Sequence, residues 1–390
     1  NIKFEKTITI DDQYLFTVKQ TIINNSEKTY NFYPYGQIIR NEIPEITNFF
    51  ILHEGPLGVF NSELVEKDYD DVQEKNYSIN ADKGWLGITD KYWITSIIPQ
   101  ENRKFRSDFD YKNKFRANFI ETNATEIGAN ESKSNEIKVL IAAKEVRVID
   151  NYAKNLNIEK LDLVIDWGYL YFLTKPMWFA LDYFFKLLGN YGLAIIAVTV
   201  CIRIVLFPLA QVSFRSMSRM KLLQPEITRL KELHKEDKMK LQQAMMALYK
   251  KEKVNPMSGC LPILPMIFIF FALYKVLFVT LDGRHEPFFG WIKDLSERDP
   301  TSIFNLFGLI PWDPPSFLII GAWPILMGVS MYIQQLLNPQ MPDPVQRRIF
   351  QFFPLFLTII LAPFPSGLVI YWTVNNVLQM LQQYLVMRKT

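Results

Sequence analysis

The sequence predicts a polytopic α-helical membrane protein with an all-β domain on its N-terminal side. Residues 1–166 hold 21 Lys and Arg against 27 Asp and Glu, whereas residues 167–390 hold 22 against 13. The acidic part has short alternating apolar runs, and the basic part has five apolar segments near the length that crosses a bilayer. This division excludes a single soluble domain. The two cysteines, Cys201 and Cys260, exclude a disulfide framework and a four-thiolate metal site.

Residues 1–160 are predicted to form a β-sandwich. Apolar and polar residues alternate in GWLGITDKYWITSIIP (84–99), KFRANFIE (114–121) and EIKVLIAAKEVRVI (136–149), and turn residues separate such runs. This alternation is typical of antiparallel strands that bury one face. His53 has no catalytic spacing around it, and we interpret it as a structural or surface residue.

Residues 161–190 are predicted to include an amphipathic helix that lies along the membrane surface. This stretch is rich in Trp, Tyr and Phe, and charged residues are interspersed with them. Such a mixture suits the headgroup layer better than the hydrocarbon. Pro176 is expected in the first turn of the helix. The alternative is an extra transmembrane helix, which would break the charge rule applied below.

Residues 191–390 are predicted to form a membrane core of five transmembrane helices. About 20 mostly apolar residues span the hydrocarbon as a helix. The segments that reach or approach this length are 192–212, 259–280, 317–337, 349–363 and 366–387. Buried helices of a large soluble protein are the alternative, but the rest of this region offers too little polar surface to cover them.

The loop charges predict the orientation of these helices. Residues 213–256 hold 11 Lys and Arg, whereas the loop 281–316 holds three basic and six acidic residues. By the positive-inside rule, 213–256 and the C-terminus are cytoplasmic. The β domain and the loop 281–316 then lie outside, which agrees with an odd number of crossings.

Arg203 is a charged residue near the middle of the first predicted transmembrane helix. A central arginine costs about 2.5–3.5 kcal/mol on insertion scales, so it normally pairs with an acid or faces water. None of the five segments contains Asp or Glu. The options are a water-filled cavity, backbone carbonyls, an acid from another chain, or snorkelling to the interface. We interpret Arg203 as the fixed charge of a hydrated cavity.

Other polar residues are candidates for the same cavity. Thr199 lies one turn before Arg203 on the same helix face. Asn375 and Asn376 lie deep in the last helix, where they either join helices or face the cavity. Further amides are Gln334, Gln335, Gln379, Gln382 and Gln383. Those nearest the helix ends are equally compatible with an interfacial position.

Residues 213–256 are predicted to form a cytoplasmic helical hairpin. Apolar residues recur at steps of three and four from Met217 and Met220 onwards, HKEDK (234–238) turns the chain, and Asn255-Pro256 ends the return helix. Met245 and Met246 lie on that return helix. Flexible methionines suit varied apolar partners, and the basic excess suits anionic lipid or ribosomal RNA. The alternative is that both apolar faces pack on each other or on headgroups.

The sequence contains no enzyme motif. It has no Gly-rich phosphate loop, no HExxH and no GxSxG. The transmembrane segments contain neither the His nor the Asp that an intramembrane protease needs. We therefore predict no catalytic activity, no metal and no cofactor.

Seven stretches together resemble one family of membrane proteins. They are GWLGITDKYWITSIIP (84–99), the FPL (207–209) that ends the Arg203 helix, MKLLQPEI (220–227), MMALYKKEKVNPMSGC (245–260), FFALYKVL (270–277), WIKDLSERDP (291–300) and FPSGLVIYWTVNN (364–376). The residues of these stretches and their order along the chain are similar to those of the YidC/Oxa/Alb membrane protein insertases of the Gram-negative type. The resemblance covers nearly the whole chain.

The resemblance implies a hydrophilic groove in the membrane core, open to the cytoplasm and lipid and closed on the outer side. Arg203 corresponds to the family's groove arginine, and Thr199, Tyr371 and Trp372 match groove positions that meet clients. The predicted client-binding residues are Arg203, Thr199, Tyr371, Trp372, Asn375 and Asn376. The predicted client-guiding residues of the hairpin are Met217, Met220, Met245 and Met246.

The resemblance also implies partners and a location. The clients are nascent membrane proteins, which the family inserts and helps to fold. The Sec translocon (SecYEG and SecDF), membrane lipids and the ribosome are further partners, and DNA is not one. The protein is expected in the bacterial inner membrane, with the β domain in the periplasm and the hairpin in the cytoplasm.

The chain departs from the family pattern in three places. It begins at Asn1 and lacks the family's N-terminal anchor and the first half of its sandwich, so we expect a processed chain or a fragment. Met266-Ile267-Phe268 stands where many relatives have Gln-Met-Pro, so a polar groove residue is expected to be lost. The basic C-terminal tail is short.

The residues alone leave two other function classes open. A secondary transporter or channel could move a small anion past Arg203, although no intramembrane acid is present for coupling. A scaffold protein could use the β domain outside the cell membrane, but it would not need a central arginine. An anion-flux assay separates the first class, and deletion of the β domain separates the second.

Overall fold

The computed structural model of the chain describes residues 2–43, 52–101, 103–234, 237–252, 254, 263–315, 318–338 and 344–388. Two compact units are present: Asn1–Tyr169 with Val279–Leu281, and Leu170–Phe278 with Asp282–Thr390. Cys260, the Asn255-Pro256 end of the hairpin and the first residues of the segment 259–280 lie outside the described residues.

The first unit consists mainly of antiparallel strands. In the described residues they are β1 (Ile2–Ile10), β2 (Leu15–Asn24), β3 (Tyr30–Phe32), β4 (Tyr35–Arg40), β5 (Gly55–Phe60), β6 (Glu63–Glu66), β7 (Tyr77–Ala81), β8 (Gly84–Thr89), β9 (Trp93–Ile98), β10 (Phe105–Tyr111), β11 (Phe115–Glu121), β12 (Thr125–Ile127) and β13 (Ser132–Ala143). One sheet has the order β1-β2-β13-β9-β8-β5-β6, a second has the order β4-β11-β10-β7, and β12 pairs with β3.

An aromatic core lies between the two larger sheets. Phe115 and Phe119 alternate with more exposed residues along β11, and both are buried together with Phe105 of β10. Leu86 of β8 and Ile97 of β9 come from the other sheet and belong to the same cluster. The period-two alternation therefore places one face of each sheet in the core, and the predicted β-sandwich is confirmed.

The strand predicted over 136–149 is wrong in its last residues. β13 ends at Ala143, and a helix, α2, spans Val146–Asn155; a shorter helix, α1, spans Tyr69–Glu74. Val146, Ile149 and Tyr152 are buried at steps of three, which is the spacing of one helix face. The short stretch EVRVI (145–149) alternates polar and apolar residues and also fits the helical period, and the burial of one helix face shows that it is helical.

The second unit is helical. Its helices in the described residues are α3 (Tyr171–Leu188), α4 (Tyr191–Val205), α5 (Phe207–Leu222), α6 (Gln224–Leu233), α7 (Lys238–Lys251), α8 (Ile263–Val279), α9 (Ala322–Leu337), α10 (Pro344–Leu361) and α11 (Ser366–Arg388). α11 packs against α9, α4 and α5, α9 also packs against α10, and α3 packs against α4. The predicted combination of a β domain with a helical domain is confirmed.

The helix predicted over 192–212 is not continuous. α4 ends at Val205, and α5 leaves it at an angle of 66°. Pro208 lies in the first turn of α5, where its missing N–H is tolerated but cannot continue the hydrogen bonds of α4. α5 then runs to Leu222, so the helical hairpin proper consists of α6 and α7.

Pro176 does not lie in the first turn of the predicted interfacial helix. α3 begins at Tyr171, which makes Pro176 its sixth residue. The start is set further upstream because the carbonyl of Leu170 accepts hydrogen bonds from both N and Oγ1 of Thr174, at 2.8 and 3.1 Å. Pro176 therefore removes one internal hydrogen bond of the helix.

In the part of the chain that the structure describes, no single helix is both long enough and apolar enough to cross a membrane. α4 and α5 meet both conditions when they are taken together across their bend, and Leu264–Val279 is a shorter apolar helix.

Candidate functional site

A cavity of about 500 Å³ lies among α5, α8, α9, α10 and α11. Its aromatic lining residues are Phe214, Phe270, Phe271, Phe350, Phe353, Tyr371 and Trp372. Its amide lining residues are Gln334, Gln335, Asn338, Asn375, Asn376 and Gln379. An apolar cavity with a few convergent polar groups is the usual form of a binding site. This cavity offers both chemistries to a single occupant.

The amides of α11 form two rows, because residues three, four and seven positions apart share a helix face. In the first row, Nδ2 of Asn376 donates to Oγ of Ser330 at 2.9 Å, and Nε2 of Gln383 donates to the carbonyl of Leu337 at 3.3 Å. This row joins α11 to α9. The second row, which contacts Arg203 of α4, consists of Asn375, Gln379 and Gln382.

Arg203 is bound by this second row. Its Nε donates to Oδ1 of Asn375 at 2.8 Å, and its Nη2 donates to the carbonyl oxygen of Asn375 at 2.9 Å and to Oε1 of Gln379 at 3.0 Å. Nε2 of Gln382 donates to the carbonyl oxygen of Arg203 at 3.2 Å. Arg203 is 4% exposed, and all its hydrogen-bond acceptors in the described residues are neutral.

The sequence left several possible partners for Arg203 open, and the structure shows which of them bind it. Among the described residues, the acceptors of its guanidinium are one backbone carbonyl and two side-chain amides, and not an acid or bulk water. Arg203 is not among the described residues that line the 500 Å³ cavity; it lines a second cavity of about 10 Å³, close to the volume of one water molecule. Three acceptor oxygens of α11, from Asn375 and Gln379, bind the guanidinium on the side of the large cavity's lining residues. That Arg203 belongs to a client-binding groove stays a prediction.

The other predicted groove residues divide into two groups. Tyr371, Trp372, Asn375 and Asn376 line the large cavity, and the ring of Trp372 packs edge-on against Phe270 with centroids 4.7 Å apart. Thr199 does not line it among the described residues. Its buried Oγ1 donates to the carbonyl of Ile195 at 2.6 Å, so the hydroxyl is satisfied within α4.

Met266 lies between the two cavities and lines both of them. Its neighbour Ile267 lines the large cavity, whereas Phe268 is exposed and lines neither among the described residues. On α8, the apolar side chain of Met266 shares the small cavity with Arg203. Met266 is part of the segment in which the family resemblance implies the loss of a polar groove residue.

The four hairpin methionines do not form one face. Met217 is buried and lines the large cavity, Met220 and Met245 are half-buried, and Met246 is 62% exposed. A second helix break, at Leu223, leaves Met217 and Met220 on α5, whereas Met245 and Met246 belong to α7. That these four methionines guide clients stays a prediction.

The loop between α8 and α9 holds the first turns of two cavity-lining helices. Oδ2 of Asp299 accepts a hydrogen bond of 2.9 Å from the backbone N–H of Trp323 in α9. The carbonyl of Leu295 accepts one of 3.0 Å from the N–H of Gly367 in α11. The first N–H groups of a helix have no partner within the helix and attract negative charge. The loop therefore sets where α9 and α11 begin.

Asp294 organises the same loop. Burial alone would raise the pKa of its carboxyl, but hydrogen bonds from the backbone N and Oγ of Ser296, together with the adjacent His285, bring that pKa below its ordinary value. Nδ1 of His285 lies 2.9 Å from Oδ2 of Asp294. The Asp294 carbonyl accepts a hydrogen bond of 3.1 Å from Oγ of Ser366, at the start of α11.

Sequence reasoning did not identify the phenylalanines that line the cavity on α8 and α10. Phe270, Phe271, Phe350 and Phe353 lie on helices that are apolar over much of their surface, so periodicity does not tell which side faces a cavity. Gln334 and Gln335 did carry a signal, as adjacent amides at the end of an apolar segment. Among the described residues, no group of three or more His, Cys, Asp and Glu is placed to hold a metal.

Comparison with known proteins gives matches along the whole chain. The family described as 60Kd inner membrane protein matches residues 183–390, and the YidC periplasmic domain matches residues 1–180. Membrane protein insertase YidC of Pelagibacter ubique (strain HTCC1062) is 68% identical over 388 residues, which cover 100% of this chain and 70% of that protein. The insertase of the same name from Rickettsia prowazekii (strain Madrid E) is 48% identical over 390 residues, covering 98% and 70%.

One solved structure is similar over most of the chain. It is described as an active YidC insertase crystal structure with the first transmembrane domain resolved. Its TM-score is 0.46 at 16% sequence identity, and the match covers 98% of this chain and 94% of that one.

Proposed function

The chain belongs to the YidC family of membrane protein insertases, and we propose that the 500 Å³ cavity of its helical unit is where a client is held during insertion. The clients are nascent membrane proteins. The observation that carries the proposal is the mixed lining of the cavity, in which an aromatic wall from α8 and α10 meets amides from α9 and α11.

The two kinds of wall correspond to the two parts of a client. A polar segment that crosses the hydrocarbon alone loses its hydrogen bonds to water, which costs several kcal/mol for each unpaired group. The amides of Asn375, Asn376 and Gln379 offer donors and acceptors part-way across and lower this barrier. The client's apolar helix packs against Phe270 and Phe353 and enters the lipid with a gain of about 25 cal/mol per Å² of apolar surface.

Arg203 places a positive charge next to the amide side chains that line the cavity, without lining the cavity itself in the described residues. It is held by Asn375 and Gln379, both of which line the cavity. In a low-dielectric site a buried positive charge attracts an acidic client segment more strongly than it does in water. This arrangement favours an insertase over an anion channel, because a channel needs its charge on the conducting path.

The orientation and the partners are part of the same proposal. The 11 basic residues of 213–256 favour a cytoplasmic hairpin, so α6 and α7 lie where nascent chains arrive. The acidic β domain and the loop between α8 and α9 then lie in the periplasm, with α3 along the outer membrane surface. The Sec translocon and the ribosome are the further partners that we propose for insertion.

Site-specific photocrosslinking tests whether clients occupy the cavity. A photoreactive phenylalanine analogue replaces Phe353, which lines the cavity, or Phe352, its neighbour, which is exposed on another side of α10. A radiolabelled single-span client is added during insertion. Crosslinks from position 353 that exceed those from 352 support the proposal, and equal crosslinks from the two positions contradict it.

A further inference from the structure

We propose that Gln379 is a specificity-determining residue for acidic clients, because its Oε1 occupies a donor of Arg203 that a client carboxylate takes over. This inference rests on the proposed function and deepens it. Gln379 accepts from Nη2 of Arg203 at 3.0 Å and also lines the large cavity. It is therefore positioned between the buried charge and any segment held in the cavity.

Gln379 is the most easily displaced of the groups that bind the guanidinium. One of the two Asn375 acceptors is a backbone carbonyl inside α11, which cannot leave without unwinding the helix, and the Asn375 side chain is buried. Gln379 is only half-buried and has a longer side chain. In the described residues its side chain makes a single hydrogen bond, the one to Arg203, so its departure breaks no other.

A carboxylate is a stronger partner for this guanidinium than the amide that it replaces. Hydrogen bonds between two charged groups are roughly twice as strong as neutral ones, and an arginine can bind both carboxylate oxygens at once. Within the described residues Nη1 of Arg203 makes no hydrogen bond. A carboxylate that displaces Gln379 can therefore bridge Nη2 and Nη1, whereas a client amide offers one neutral oxygen and gains nothing over Gln379.

Met266 completes the barrier between the charge and the cavity. It lines the large cavity and the small cavity beside Arg203, so its thioether separates the two. A methionine side chain is flexible enough to move aside for an incoming group. Discrimination between acidic and neutral clients thus depends on whether the client supplies a group that competes with Gln379 for Arg203. A neutral segment binds only to the amide side chains that line the cavity.

The test uses the full chain in proteoliposomes and two single-span clients that differ only in their outer tails. One tail carries Asp and Glu, and the other carries Asn and Gln at the same positions. Protease protection gives the ratio of acidic to neutral insertion for wild type, Gln379→Glu and Gln379→Met. Gln334→Met is the matched control, because Gln334 lines the same cavity without bonding Arg203.

Opposite changes are expected from the two substitutions. In Gln379→Glu the new carboxylate forms an ion pair with Arg203 that a client carboxylate cannot displace. The ratio of acidic to neutral insertion is expected to fall by about tenfold, which corresponds to the free energy of one charge-assisted hydrogen bond. Gln379→Met removes the competing acceptor and raises the ratio by about threefold, within the range for one neutral hydrogen bond. Gln334→Met leaves the ratio unchanged.

A ratio that stays the same in both folded Gln379 variants overturns the inference and leaves the proposed function intact. A fall in the insertion of both clients to the same extent also overturns it, because that is what a purely structural role predicts. Melting in detergent checks folding, and if Gln379→Glu does not fold, the ratio for Gln379→Met decides alone. If wild type inserts neither client better than empty liposomes, the proposed function fails instead.

Discussion

Nε of Arg203 donates a hydrogen bond of 2.8 Å to Oδ1 of Asn375, which lies 172 positions later in the chain. The bond joins α4 to α11 and gives one N–H donor of the buried guanidinium a neutral oxygen as its acceptor. A buried charge is costly unless its donors are satisfied, and these acceptors bind the Nε and Nη2 donors of Arg203 without cancelling its charge. Arg203 therefore both holds two helices together and keeps a positive charge behind the cavity wall.

Replacement of Asn375 by leucine is expected to destabilise the helical unit. Leucine has a similar size but no acceptor, so Nε–H of Arg203 loses its partner in a buried position. The expected cost is about 1.5–3 kcal/mol of unfolding free energy, since one partner is a charged group. Denaturant unfolding in detergent measures it. Val377→Leu, two positions along at an exposed site, is the control and is expected to change the stability by less than about 0.5 kcal/mol.

Gly328 is expected to be required where α9 meets α10. A Cβ at this position would overlap Oγ1 of Thr358, whose hydroxyl donates to the carbonyl of Pro354 at 2.8 Å. Gly328→Ala is therefore expected to cost about 1–3 kcal/mol, as overpacking does elsewhere. The double variant with Thr358→Ala removes the overlapping atom and is expected to recover most of this loss. A double variant no more stable than Gly328→Ala would show that another contact is responsible.

Asp299 is expected to stabilise the start of α9. Its Oδ1 accepts hydrogen bonds from Nε1 of Trp291 and from the backbone N of Thr301, and its Oδ2 accepts one from Trp323. Asp299→Ala leaves these donors unpaired and is expected to cost about 2 kcal/mol or more. Asp313→Ala, in an exposed part of the same loop, serves as the control. Equal melting temperatures for the two variants would rule out the capping role.

The stability of the loop between α8 and α9 is expected to depend on pH through Asp294. Its carboxyl pKa is lower in the folded protein than the ordinary value of 3.8, so the ionised form stabilises the fold. This contribution is present above pH 4 and is lost as the pH falls through the folded-state pKa. The melting temperature of Asp294→Asn is therefore expected to lie below that of wild type at pH 7, and the difference narrows below pH 4. A difference that is independent of pH contradicts this assignment.

The elements that sequence predicted well are those with a strong period. β11 alternates buried and exposed residues over seven positions, so its type and its buried face could both be predicted. The run at 145–149 is too short to separate a strand from a helix, and its assignment depended on packing. The bend at Leu206 has a local signal in Pro208, but a proline near a helix end also fits an undisturbed helix on either side.

Four of the predicted groove residues line the large cavity, but the hydrogen bonds among the site residues were not predicted. Arg203 and Asn375 were both identified because polar groups are rare in apolar helices, but pairing across 172 positions cannot be read from spacing. Thr199 was grouped with Arg203 by helix face and by the family resemblance, and neither shows that its hydroxyl is bonded within α4. Gln379 lies in the same polar stretch as Asn375, yet only the fold shows that it contacts both the charge and the cavity.

Reconstitution tests most directly whether this protein inserts clients with the help of the positive charge of Arg203. The chain is placed in liposomes with a single-span client that has an acidic outer tail, and protease protection reports insertion for wild type, Arg203→Lys and Arg203→Ala. We predict insertion above that of empty liposomes, with a partial loss for lysine and a loss of about tenfold or more for alanine. A folded Arg203→Ala protein that inserts this client as well as wild type would contradict this role of Arg203.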